Sequence, residues 1–282
     1  DLAALGGKDI VGNITLTADI DMSNTEMTPI KSLKGCFNGD SKTISHLTLK
    51  GGSGSSKYDS EAGGYVTTYV NTGLIGELDG SAINLKMTDV SITGIGSYNN
   101  VGTLVGYIAD GSTSKIDNCT VSGTITSTSG SGTTLIGGLV GYATGAYQVN
   151  TTLAINNCVS NVTLSGGSSN YVGGLVGSAQ TNATLSITKC AQLADFGTNK
   201  GLGAGIVGYA NGSTVDIANS YLAGKVSASS YPGVIAYSGK WGSATISLSG
   251  DFYYNEANSY ELFQKASGYP GTVANSDKAQ KK

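Results

Sequence analysis

The sequence is defined first by what it lacks. All sixteen basic residues are lysine, with no arginine anywhere, so the side chain best suited to forked recognition of phosphate and carboxylate is missing. With a net charge of -3 and a pI near 5.1, there is no basic footprint for nucleic acid. There is one histidine, His46, which excludes the usual histidine metal sites and nucleophilic triads. Proline occurs three times and charged residues make up 12% of the chain, about half the usual share. No apolar run approaches membrane-spanning length, so membrane insertion by these residues is not expected. No basic-then-apolar signal segment opens the chain at Asp1, which reads as a mature fragment of a longer secreted or surface protein.

What is present is glycine, 43 residues of it, and a 39% share of hydrophobic residues that recur regularly, which argues against disorder. The recurring unit is Thr72-Gly73-Leu74-Ile75-Gly76, Gly102-Thr103-Leu104-Val105-Gly106, Gly137-Gly138-Leu139-Val140-Gly141 and Gly173-Gly174-Leu175-Val176-Gly177. Weaker copies follow at Ala204-Gly205-Ile206-Val207-Gly208 and Pro232-Gly233-Val234-Ile235-Ala236. The period is roughly 28–36 residues, in the range of solenoids and propellers. A second pattern keeps step with it: Ile83-Asn84, Asp117-Asn118, Asn156-Asn157 and Ala218-Asn219 each lead into another alternating run.

Each unit therefore holds two or three short strands rich in Val, Ile, Leu and Thr, separated by Gly/Ser/Asn turns. No sustained helical stripe appears. The fold class expected is all-β, a right-handed parallel β-helix whose coils stack equivalent strands about 4.8 Å apart. A β-propeller is the rival, but regular hairpin dipeptides are absent. Residues 1–50 read as an N-terminal cap and first coil, 51–250 as the repeated coils, and 251–282 as a C-terminal cap and tail. Stacking places like residues in columns. Leu74, Leu104, Leu139, Leu175, Ile206 and Val234 are the expected inward column, and Asn84, Asn118, Asn157 and Asn219 an expected corner column. The segments 13–22 and 42–49 alternate as strands.

The Gly-Leu-Val-Gly units resemble the GLUG-motif repeats of bacterial surface proteins, which also occur near the N-terminus of immunoglobulin A metallopeptidases. The opening, Leu16-Thr17-Ala18-Asp19-Ile20-Asp21, Thr28-Pro29-Ile30 and Phe37-Asn38-Gly39, resembles the stretch that introduces those repeats, with Met27 where Trp is usual. The resemblance covers about residues 10–260. It implies secretion or cell-surface placement and adhesin-like roles. The peptidase chemistry of the larger relatives needs an H-E-x-x-H helix, which this sequence does not contain.

The residues do not favour an enzymatic reading. A hydrolase of this shape needs converging carboxylates, and a lyase needs a base beside calcium-binding acids. Asp19 and Asp21 are the nearest pair, but they sit where Asp caps turns. Cys119, Cys158 and Cys190 share one repeat position with Leu85 and Ser220, which suits small buried side chains; the stacking distance also admits a disulfide. Tyr107, Tyr142, Tyr209 and Tyr237 follow the Gly-Leu-Val-Gly units, with Glu77 and Ser178 in the same column. Facing outward they would form a ladder of aromatic platforms for a glycan or protein ligand; facing the insertions they would merely cover the strand edge. The sequence thus points to a non-catalytic repetitive module with no cofactor and no metal, acting in adhesion or binding. A polysaccharide lyase- or hydrolase-like fragment and a purely structural stalk are the alternatives.

Overall fold

A computed structural model describes residues 1–127, 132–167, 170–238, 243–265 and 271–282; within these, the side chains of 197–201, 229–231, 265 and 271–272 are not described. The chain winds as the parallel β-solenoid expected. Apart from one hairpin, every strand pairing between named strands is parallel, and each strand pairs with its equivalent one coil later.

One coil shows the plan. Val105–Ile108 and Thr113–Asp117 lie on the first large sheet, Thr120–Ser127 and Thr134–Gly137 on the second, and the chain then returns to the first sheet at Val140–Thr144. Five strand positions recur per coil, because Thr120–Ser127 serves two of them. Its later neighbours along the axis are Val140–Thr144, Thr151–Asn156, Val159–Gly166 and Asn170–Gly173, in register residue for residue. Residues Phe252–Tyr254, Phe263–Lys265, Gly271–Ala274 and Ala279–Lys281 add further rungs to the same ladders. Lys282 Nζ lies 3.9 Å over the Tyr253 ring.

The Gly-Leu-Val-Gly units are corners and not strand centres. Gly137 ends one strand, Gly138 and Leu139 bend, and Val140 begins the next. Turning there lets both consecutive apolar residues be buried, which simple alternation in a strand forbids. Leu74, Leu104, Leu139, Leu175, Ile206 and Val234 are all fully buried, and so are Ile75, Val105, Val140, Val176, Val207 and Ile235. Each such side chain stabilises the stack by roughly 1.5–3 kcal/mol. The last copy is one residue out of step, since Val207 pairs with Ala236, so that Ile235 takes the place of Ile206.

The corner has a repeated hydrogen-bond signature. Leu139 N and Val140 N both donate to Leu175 O (both 3.0 Å), and Leu175 N and Val176 N both donate to Ile206 O (3.1 and 3.0 Å). The flanking glycines permit the close approach this requires. A Cβ on Gly177 would lie 2.6 Å from Gly141 O and from Ile136 N, and one on Gly173 would overlap Val176 O.

Corners also explain where alternation misleads. The segment 13–22 forms two short strands, Ile14–Thr15 and Ile20–Asp21, and 42–49 forms Thr43–Ser45 and the start of Thr48–Lys50, broken at His46 with φ 56°. The asparagine column holds as expected. Asn84, Asn118, Asn157 and Asn219 all have φ between 50° and 54°, where asparagine is among the most tolerant side chains. Asn118 Nδ2 donates to Asn84 Oδ1 (2.9 Å) and Asn157 Nδ2 to Asn118 Oδ1 (3.1 Å). Lys189 takes the same backbone conformation, φ 54°, and interrupts the ladder.

Replacing Gly173 with Ala should destabilise the chain by about 1–3 kcal/mol in urea unfolding, because backbone cannot move aside. Gly64→Ala, with open space around its Cβ, should change stability by no more than roughly 0.5 kcal/mol.

Candidate functional site

Tyrosines gather along one outer face. Register places Ser32, Glu77, Tyr107, Tyr142, Ser178 and Tyr209 in one ladder of the first sheet. Tyr237 follows after the one-residue slip, its ring centroid 5.8 Å from that of Tyr209. The rings of Tyr107 and Tyr142 stand 5.7 Å apart. All four tyrosines picked out from sequence therefore share a line, but unequally. Tyr107 and Tyr142 are half-buried, whereas Tyr209 and Tyr237 are only 8% and 7% exposed. The latter two are buried outside the main core cluster, on the outer side of the corner.

A second row, on the strands that precede each corner, completes the face. Asn71, Asn100, Leu135 and Tyr171 are in register there, and Asn100 Nδ2 donates to Asn71 Oδ1 at 2.8 Å. Tyr171 stacks on Tyr209 across the corner at 4.5 Å and 24°. Tyr69 and Tyr98 meet edge to face at 5.9 Å nearby. Sequence reasoning missed Tyr69, Tyr98 and Tyr171. The signal for Tyr171 was its place two residues before the first corner glycine, the place that Leu135, Asn100 and Asn71 hold in other coils.

Packing of the rings raises their phenol pKa values. Burial does most of this at Tyr209, pushed up to about 12, with Tyr171, Tyr237 and Tyr142 adding to it. Burial raises Tyr107 further, helped by the hydrogen bond that its hydroxyl donates to Asp110. Burial also raises Tyr142 and Tyr171. The face is accordingly uncharged phenol at neutral pH, with apolar ring surfaces and hydroxyl edges. At its N-terminal end it opens into a depression of about 480 Å³ beside Lys31, Lys50, Tyr69, Asn71 and Glu77. That volume lies within the range of about 300–1,000 Å³ usual for small-molecule sites. Burial raises the Glu77 carboxyl, with Asp110, Asp9 and Asp79 contributing.

The acids and the histidine fall elsewhere. Asp19 accepts from Thr43 N at 2.7 Å, a bond between adjacent coils. His46 Nδ1 donates to Asp21 Oδ1 at 2.8 Å, and its Nε2 lies 3.9 Å from Asp89 Oδ2, so three coils place an acid–histidine–acid file on an exposed corner. Among the described residues no group of three or more His, Cys, Asp or Glu is placed to hold a metal ion. No helix there is long and apolar enough to cross a membrane, which says nothing of β-barrels.

With this geometry in view, the match to known proteins is direct. The GLUG motif family matches residues 97–126, the segment that holds the Gly102–Gly106 corner and the strands on either side. The chain carries the GLUG motif. No curated protein sequence matches the chain. Among solved structures, a Bacteroides ovatus protein provisionally named an immunoglobulin A1 protease is similar at 20% identity and TM-score 0.64. That match covers 97% of this chain and 80% of the other. A structure named IgA1 protease is similar at 14% identity and TM-score 0.50, over 89% of this chain but only 22% of its own. These likenesses carry the fold. The matched GLUG segment holds one of the repeated corners, and those corners set the line of the tyrosine face.

Asp21 supplies a pH test of the acid–histidine file. Ser23, through its hydroxyl and its amide, and then His46 hold the Asp21 carboxyl at about 2. A folded pKa below the unfolded value of about 3.9 means a stabilising contribution present above pH 4 and lost as pH falls from 4 towards 2. Unfolding free energies measured across that window should fall less steeply for Asp21→Asn than for the parent chain.

Proposed function

We propose that the chain is a non-catalytic binding module of a secreted or surface-presented bacterial protein, and that its tyrosine face holds a glycan or protein ligand. The observation that carries this reading is the line of Tyr107, Tyr142, Tyr209 and Tyr237, interrupted at Ser178, joined across the corner by Tyr171 and bordered by the Lys31/Lys50/Glu77 depression. Aromatic rings with hydroxyl edges give large contact area at low entropic cost and suit the apolar faces of sugars as well as protein hot spots. The GLUG motif and the likeness to the two protease-named structures support a module carried within a larger bacterial protein. Adhesion is the use that such a rigid, elongated face serves.

A glycan array probed with the purified chain should show binding that drops at least tenfold in a Tyr107→Ala/Tyr142→Ala variant. These two rings are half-buried, so the loss is readable without deleting buried side chains. Binding that survives in the variant would move the site off this face. An array with no binder, for a folded chain, would favour the stalk reading or a protein ligand.

A further inference from the structure

The face described above leaves one line of reactive side chains unused. Cys119, Cys158 and Cys190 stand on three successive coils, with Leu85 before them and Ser220 after. The amide following each thiol bonds the carbonyl of the one before: Val159 N donates to Cys119 O and Ala191 N to Cys158 O, both at 2.9 Å. The three are 0%, 0% and 2% exposed. Register thus stacks the three thiols one above another, with Cys158 between its two neighbours. The column also donates to backbone, Cys119 Sγ to Ala82 O at 3.5 Å and Cys190 Sγ to Ile155 O at 3.4 Å. Filling a small apolar slot needs no such run, as Leu85 and Ser220 at the same position show.

We propose that this file is a peroxide-reactive thiol ladder, in which hydrogen peroxide oxidises an outer thiol, Cys119 or Cys190, and Cys158 resolves the product as a disulfide between adjacent coils. In the first step the peroxide O–O bond breaks, one oxygen joins the outer sulfur as a sulfenic acid, and the other leaves as water. In the second, the Cys158 sulfur displaces that sulfenic oxygen as a second water and the S–S bond forms. Two thiols are oxidised, one peroxide is reduced to two waters, and both thiol protons leave in the water. A water-sized oxidant is the class that so closed a column selects.

Geometry fixes the pairing. Adjacent parallel strands lie about 4.8 Å apart, inside the Cα range of about 4.4–6.8 Å for a disulfide. Cys119 and Cys190 are two rungs apart, about 9.6 Å, beyond the limit of roughly 7 Å. Every product must therefore contain Cys158, and one outer thiol is always left over. The neighbouring Cys158 thiol also lowers the pKa of both outer thiols against the opposing effect of burial, which favours them as the first to react. Cys36, half-buried opposite Ser81 on another ladder, takes no part.

The test uses the folded chain in a Cys36→Ser background. It is treated with hydrogen peroxide, quenched with catalase, unfolded, alkylated with iodoacetamide and read by intact mass and peptide mapping. Two of the three thiols should escape alkylation, with a mass loss of about 2 Da from the two hydrogens removed. The maps should join Cys158 to Cys119 or to Cys190. Cys119→Ser and Cys190→Ser should each still form one disulfide, whereas Cys158→Ser should form none while keeping the far-ultraviolet circular dichroism of its parent. A Cys119–Cys190 link in Cys158→Ser would overturn the proposal. So would added oxygen without a disulfide, or three untouched thiols, in the parent.

Discussion

A single carbonyl that accepts two successive amides from the coil before it, at the corners from Leu104 to Val207, is the interaction on which the rest of the structure depends. Leu175 O receives Leu139 N and Val140 N, and Ile206 O then receives Leu175 N and Val176 N. Two donors can converge only where the chain turns within two residues, and so tight a turn brings backbone against backbone. Side chains would keep those backbones apart, which is why glycine brackets the corner. The apolar pair between the glycines then fills the interior on both sides of the bend. The motif is thus one device, and removing either glycine affects the hydrogen bonds and the core together.

Because the corner repeats without slippage over most of the solenoid, it acts as the register for everything else. Residues at equal distance from it are stacked one above another, and a stack turns modest side-chain properties into extended features. Asparagine at one such position gives a hydrogen-bonded ladder in left-handed backbone, cysteine gives a buried file of stacked thiols, and tyrosine gives an aromatic face. A parallel solenoid leaves little room for convergent catalytic geometry unless different columns meet. Two outer columns meet at the corner, where Tyr171 reaches Tyr209.

Much of this was legible in the sequence, for physical reasons that can be named. The period, the parallel stacking and the asparagine corner follow from spacing, because a solenoid repeats its side chains at the interval at which it repeats its backbone. The Tyr107, Tyr142, Tyr209 and Tyr237 line followed from the same spacing. What was not legible was direction. Leu139 and Val140 are both apolar and adjacent, and only a corner lets both be buried, so the unit read as a strand. The same misreading hid Tyr171, since its row becomes part of the face only once the chain is known to fold back there. It also hid the slip in the last copy, where Val234-Ile235-Ala236 matches the pattern by composition but sits one residue off. His46 offered no signal at all, because its partners Asp21 and Asp89 are distant in sequence and are brought to it by stacking alone.

The most direct test of the corner's primacy is native-state hydrogen exchange resolved by residue. The amides of Leu139, Val140, Leu175 and Val176 should be the slowest to exchange and should exchange together, as one cooperative unit. The amides of the hairpin formed by Ser55–Asp59 and Gly64–Thr68, which projects with Tyr58 and Tyr65 exposed by 64% and 76%, should exchange orders of magnitude sooner. Corner amides that exchange as fast as the hairpin, while strand centres elsewhere stay protected, would contradict the account.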